Sequence, residues 1–208
     1  MKESESFNPN EYHSKKGHAH RRNLEFPILF FDVVGFSKDM NNDGSKKIVT
    51  DMQRVMWDLL DNDYYWAEKT KHSSKNNLPL IPTGDGYGIA INETLKDDVI
   101  LWIARKLYRK LAEEEIKIRM GIAKGRNVVT IDLNENLNIF GYGIVLATRV
   151  CNAASDGQIL VHSEFAQSLL QDKAIAELTE VKDPFIGKHN LKIPCHNYFQ
   201  KDDFGINP

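Results

Sequence analysis

Apolar positions change period several times along the chain, and each change marks an element. Ile28, Leu29, Phe30 and Phe31 form an unbroken apolar run entered through Pro27, which predicts a buried strand. The run breaks at once into Asp32-Val33-Val34-Gly35-Phe36-Ser37, and Asn41-Asn42-Asp43-Gly44 predicts a loop. The period then lengthens. Ile48, Met52, Val55, Met56, Leu59 and Leu60 recur three and four residues apart, predicting a helix over 46–62 with one apolar face. Tyr64, Tyr65 and Trp66 are expected core or interface aromatics, and 72–77 is a polar loop. Residues 80–91 predict strand, turn and strand with Asp85 at the tip.

A second helix is predicted over 96–115, with Ile100, Ile103, Ala104, Leu107 and Leu111 on one side and Thr94 or Asp97 as its cap. Ile118, Met120 and Ile122 alternate through 117–123, which predicts a strand. A further strand over 126–131 and a polar turn at 132–136 suggest a projecting hairpin. Gly141-Tyr142-Gly143 opens a helix bearing Ile144, Val145, Leu146 and Val150, stopped by Asp156-Gly157. A strand over 158–161, a helix from Ser163 through Leu170, and closing strands near 175–181 and 191–200 complete the order.

Composition narrows the function classes. A chain of 208 residues can bury a full core as one domain, read here as 24–208 behind a mobile polar tail at 1–23. The net charge of -2 gives no reason to expect a nucleic-acid or anionic-membrane partner. No apolar run approaches the roughly 18–20 residues that span a bilayer, and the first residues lack the apolar core of a secretory signal. Cys151 and Cys195 make no disulfide framework, so a reducing cytoplasm is the expected location. His13, His18 and His20 are loosely spaced in the tail and read as solvated.

The candidate chemistry lies where the apolar runs break. Asp32 ends a buried strand and is followed by a glycine turn; Asp85 stands between Gly84 and Gly86. A carboxylate at such a position is costly unless its charge meets a cation. Alone, Asp32 reads equally well as a helix cap and Asp85 as a hairpin-turn residue. Together they suit a divalent metal site that holds a polyphosphate.

These residues resemble the class III nucleotidyl cyclases, the adenylate and guanylate cyclase family. Phe31-Asp32-Val33-Val34-Gly35-Phe36-Ser37 and Thr83-Gly84-Asp85-Gly86 are similar to the family's two metal motifs. Arg119-Met120-Gly121-Ile122-Ala123-Lys124-Gly125 is similar to the strand and glycine turn before its dimerisation hairpin. Residues 140–154 resemble its active-site helix, and Gly157-Gln158-Ile159-Leu160-Val161 the strand after it. The resemblance implies an α+β, ferredoxin-like βαββαβ fold with an antiparallel-rich sheet, working as a homodimer with composite active sites. It implies two Mg²⁺ or Mn²⁺ ions on Asp32, Asp85 and the Val33 carbonyl, with Arg149 supplied by the other subunit as the catalytic cation. The backbone amides of Val34, Gly35, Phe36 and Ser37 are expected to receive the triphosphate, and Lys192 its terminal phosphates.

The chain departs from the family in two places. The family asparagine one helical turn before the arginine is Val145 here, with Tyr142 or Asn152 as candidate substitutes. The two base-selecting positions are Ile81 and Asn138. An apolar Ile81 cannot hydrogen-bond a purine edge, and each unpaired buried polar group costs about 1–3 kcal/mol, which argues against ATP and GTP. A stand-alone cyclase domain with an altered purine pocket resembles the Pycsar pyrimidine cyclases of bacteria. That implies cyclic UMP or cyclic CMP as an antiphage signal read by a separate effector. Within that subgroup cyclic UMP is the commoner product, so UTP is the expected substrate, with a divergent adenylate cyclase or an inactive nucleotide-binding domain as the alternatives.

Overall fold

A computed structural model of the chain describes residues 22–36, 43–59, 80–91, 96–131, 137–171, 178–187 and 190–198. The central strand is β1 (Arg22–Val33), followed by α1 (Asp43–Trp57), β2 (Leu80–Pro82), β3 (Gly86–Ala90), α2 (Val99–Glu113) and β4 (Ile118–Ile131). The four strands among them lie in the sheet order β2-β3-β1-β4, with all three pairings antiparallel. Chain order βαββαβ with the first strand between the third and fourth is the ferredoxin-like arrangement that the resemblance implies. The chain continues through β5 (Leu137–Gly141), α3 (Tyr142–Ala153), β6 (Ile159–His162) and α4 (Ser163–Gln171). Strand β6 joins β4 in parallel, and β10 (Cys195–Asn197) and β7 (Thr179–Glu180) extend the sheet beyond it. Strands β8 (Phe185–Ile186) and β9 (Lys192–Ile193) form a separate pair.

Strand alternation divides the core into two sides. Leu29 and Phe31 face one way, against Met52, Val55 and Met56 of α1, Ile100, Ile103 and Leu107 of α2, and Phe165 of α4. Ile28 and Phe30 face the other way, against Leu146, Ala147 and Cys151 of α3. Asp32 continues the even-numbered series, so its side chain leaves the sheet on the α3 side. Burying both faces explains why 28–31 is apolar throughout.

Several boundaries differ from the sequence reading, for local reasons. Strand β1 begins at Arg22, inside the stretch read as tail, because β4 is long enough to pair with it back to Val129. Residues 118–131 form one strand rather than two: Gly125, read as a turn, stays in the ladder opposite Phe26. Pairing to β3 starts only at Ile28, so Pro27, which lacks an N–H, lies where β1 has β4 as its partner. At the start of α2, Asp97 does not cap; its carboxylate accepts from Lys124 Nζ of β4 at 2.5 Å. Asp98 holds the cap position without a side-chain cap bond. The closing strand expected near 191–200 is two strands, β9 paired with β8 and β10 in the main sheet, and β8 lies outside the strands expected from the sequence. Thr94, the aromatics at 64–66, the loop at 72–77 and the turn at 132–136 lie outside the described residues. Among the described residues no helix is long and apolar enough to cross a membrane.

Candidate active site

The site is built where β1 ends between two neighbours. Asp32 stands opposite Gly86 of β3 and opposite Arg119 of β4. The β2–β3 turn is fastened to this point by backbone bonds: Val33 N–H donates to the Asp85 carbonyl at 2.9 Å, and Thr83 N–H to the Gly86 carbonyl at 3.1 Å. Gly86 is required by contact, because a Cβ there would lie 1.9 Å from the Phe31 carbonyl oxygen. Gly84 is required by conformation, at φ +98°. The two glycines flanking Asp85 therefore let the turn close on the end of β1.

That closure brings the two carboxyl groups together. Burial, and then the hydrogen bond and charge of Asp32 beside it, raise the Asp85 pKa above the ordinary carboxylate value of 3.8, against a smaller opposite pull from Arg119. Two carboxylates held this close repel one another in the absence of a cation, and a hard divalent ion that takes oxygen ligands fits the donor set. Asp32 also has a neighbour the sequence reading did not assign to the site. Arg119 Nη2 and Nε donate to Asp32 Oδ2 at 2.6 and 3.1 Å. Asp32 in turn raises the Arg119 pKa, chiefly through that hydrogen bond. The signal lay in the strand pattern: Ile118, Met120 and Ile122 face the core on one side, which leaves Arg119 on the side to which Asp32 points.

The turn after β1 holds the remaining phosphate-binding candidates. Val34 N–H donates to the Lys117 carbonyl at 2.9 Å. This amide is already engaged, which corrects the expectation that it serves the triphosphate. Gly35 follows at φ +78°, then Phe36; Ser37 lies outside the described residues.

Helix α3 is set on the sheet by glycines. A Cβ on Gly121 would lie 2.0 Å from the Cys151 nitrogen, and one on Gly125 would lie 2.9 Å from the Gly143 Cα. Buried Asn127 of β4 ties the first turn of α3: its Oδ1 accepts from Ile144 N–H at 3.1 Å, and its Nδ2 donates to the Gly125 carbonyl at 2.7 Å. Cys151 faces inward beneath Arg119, its thiol pushed up to about 12, first by burial and then by the Asp32 charge. The outer stripe of α3 carries Tyr142, Val145, Arg149 and Asn152, spaced three and four residues apart. The Arg149 side chain makes no hydrogen bond or ion pair among the described residues. It is not brought to Asp32 within the chain.

The other candidates are dispersed. Ile81 of β2 packs against the α3-side cluster that includes Ile139 of β5. Asn138, next along β5, accepts from Ile139 N–H through Oδ1 at 2.7 Å. Lys192 is exposed on β9 and is not joined to the carboxylates by any bond.

No protein-family model and no curated protein matches the sequence. Solved structures do. The adenylyl cyclase CyaB from P. aeruginosa superposes with a TM-score of 0.66 at 17% identity, over 89% of this chain and 100% of that one. The guanylate cyclase domain of RhGC from Catenaria anguillulae, in complex with GTP, gives 0.66 at 17% identity, over 86% and 97%. The guanylyl cyclase Cya2 gives 0.61 at 15% identity, over 90% and 98%. The chain has the α+β fold of class III cyclase catalytic domains.

Proposed function

We propose that the protein is a metal-dependent nucleotidyl cyclase that converts a pyrimidine nucleoside triphosphate, UTP in preference to CTP, into its 3′,5′-cyclic monophosphate and pyrophosphate. The observation that carries this reading is the convergence of Asp32 and Asp85 at the end of β1, in a fold shared with nucleotidyl cyclases. Divalent cations, Mg²⁺ or Mn²⁺, held by these carboxylates and the Val33 carbonyl would activate the ribose 3′-hydroxyl and offset phosphate charge. The chain's own groups do the rest. The amides of Gly35 and Phe36 receive phosphate oxygens, and Lys192 meets the terminal phosphates. Arg149, supplied by the second subunit of a homodimer, stabilises charge that builds on the α-phosphorus as the 3′-oxygen bonds to it and its bond to the departing pyrophosphate breaks.

Base choice rests on Ile81 and Asn138. The apolar packing of Ile81 leaves no donor for a purine edge. Asn138 Oδ1 accepts from Ile139 N–H on its own strand, and its Nδ2 hydrogens are the donors it offers a base. A donor meets the O4 acceptor of uracil and is mismatched against the N4 amino group of cytosine. The product is then a second messenger, read by a separate effector in antiphage defence.

A second reading has its own support. Val145 is 45% exposed and apolar where the family has an asparagine. Asp32 already has a cationic partner in Arg119. Both favour an inactive domain that binds nucleotide. Incubating purified protein with each of the four ribonucleoside triphosphates and Mn²⁺, then resolving the products, separates the readings. Cyclic UMP as the main product is the expected result. Cyclic AMP alone identifies a divergent adenylate cyclase, and bound nucleotide without product identifies the inactive domain.

A further inference from the structure

The strand register that sets Asp32 beside Gly86 on one side sets it opposite Arg119 on the other. Both guanidinium bonds end on the same oxygen, Oδ2. The side chains are 32% and 20% exposed, so the pair is partly shielded from water and salt. The backbone around Arg119 is also held by neighbouring elements: Met120 N–H donates to the Gln158 carbonyl at 2.9 Å, and the Arg119 carbonyl accepts from Cys151 Sγ of α3. A fork of two donors on one carboxylate oxygen, fixed by the ladder on both strands, is part of the sheet's construction.

Its consequence is electrostatic. Asp32 and Asp85 together would offer two negative charges to a cation, and Arg119 cancels one of them. A divalent ion entering the site must share Oδ2 with the guanidinium or displace it. We infer that Arg119 is a resident counter-ion that competes with divalent cations for Asp32 and holds the affinity of the nucleotide-free site below what the two carboxylates alone would give. The inference rests on the reading of Asp32 and Asp85 as the cation-holding pair.

Mn²⁺ binding to the full chain without nucleotide, measured by calorimetry, tests it. Arg119→Met removes the charge and keeps the length, and is expected to bind Mn²⁺ at least about tenfold more tightly. Arg119→Lys, which retains the charge, is expected to stay near the wild-type affinity. Asp85→Asn removes a ligand and is expected to abolish binding in both the wild-type and Arg119→Met backgrounds. A merely structural arginine would leave Mn²⁺ affinity unchanged or lowered on substitution. That outcome, with Asp85→Asn still abolishing binding, overturns the inference and leaves the carboxylate reading intact. Binding indifferent to Asp85→Asn in every background overturns the carboxylate reading, and the inference with it. Should Arg119→Met fail to fold, the wild-type protein decides: saturating Mg²⁺ is expected to shift the Arg119 Nε–H resonance away from its Asp32-bonded position. An unmoved resonance in the Mg²⁺-bound protein sinks the inference.

Discussion

Asn127 shows how one side chain positions an element. It is 1% exposed, and its carboxamide joins the Gly125 carbonyl on its own strand to Ile144 N–H in the first turn of α3. Gly141, which precedes that helix, has no side chain with which to cap it, so Asn127 does so from β4. Asn127→Ala leaves a buried donor and acceptor unpaired, and is expected to lower stability by about 1–3 kcal/mol in denaturant titration. Asn127→Asp keeps the acceptor but sets a buried carboxylate oxygen against the Gly125 carbonyl, and should lose at least as much at neutral pH. His162 on β6 acts through protonation. Burial lowers its pKa below the ordinary 6.5, against a smaller opposite pull from Glu164. The unfolded chain therefore takes up this proton first as pH falls. The His162 contribution to stability is complete above pH 6.5 and is lost on the way down to the lowered folded value. Thermal melts from pH 7.5 to 5 should show Tm falling less in His162→Gln than in the wild type; parallel curves would remove His162 from the pH response.

At the scale of elements, periodicity served where one force dominated. The apolar run at 28–31, the three- and four-residue spacing of α1 and α2, and the helix opened at Gly141 all reflect burial, and the fold contains each of them. The sequence reading faltered where a partner strand decided the outcome. Gly125 signals a turn locally, yet β1 on one side and α3 on the other keep it in an unbroken β4. The short β8–β9 pair has too few residues for a pattern, and the residues Ile193 packs beside, Val150 and Leu160, belong to α3 and β6. The site divides in the same way. Asp32 and Asp85 stood out because charge at the end of an apolar run, or between two glycines, needs a local explanation. Arg119 did not, because its meaning depends on facing Asp32 across a ladder between residues far apart in sequence. The engaged Val34 amide was hidden for the same reason, since its acceptor is Lys117.

At the scale of the whole molecule, the two halves of the proposed chemistry do not meet within one chain. Asp32 and Asp85 are joined at the end of β1, whereas Arg149 stands on the outer stripe of α3 with no partner among the described residues. The surface around that stripe is unusually apolar: Phe140 and Tyr142 are each 59% exposed, and Val145 45%. A second copy of the chain that covered this face would remove these side chains from water and carry Arg149 to the partner's carboxylates. The arrangement makes a quantitative prediction. Asp32→Ala and Arg149→Ala should each abolish cyclic nucleotide formation as homodimers. In a mixed dimer, one site receives both lesions and the other receives neither. Random pairing of equal amounts makes about half the dimers mixed, so activity should return to roughly a quarter of the wild-type level. Product formation across a mixing series, with heterodimers quantified by native mass spectrometry, checks the expectation. Heterodimers without recovered activity would mean that Arg149 does not act across the interface, and the carboxylates would then need a cation from their own chain.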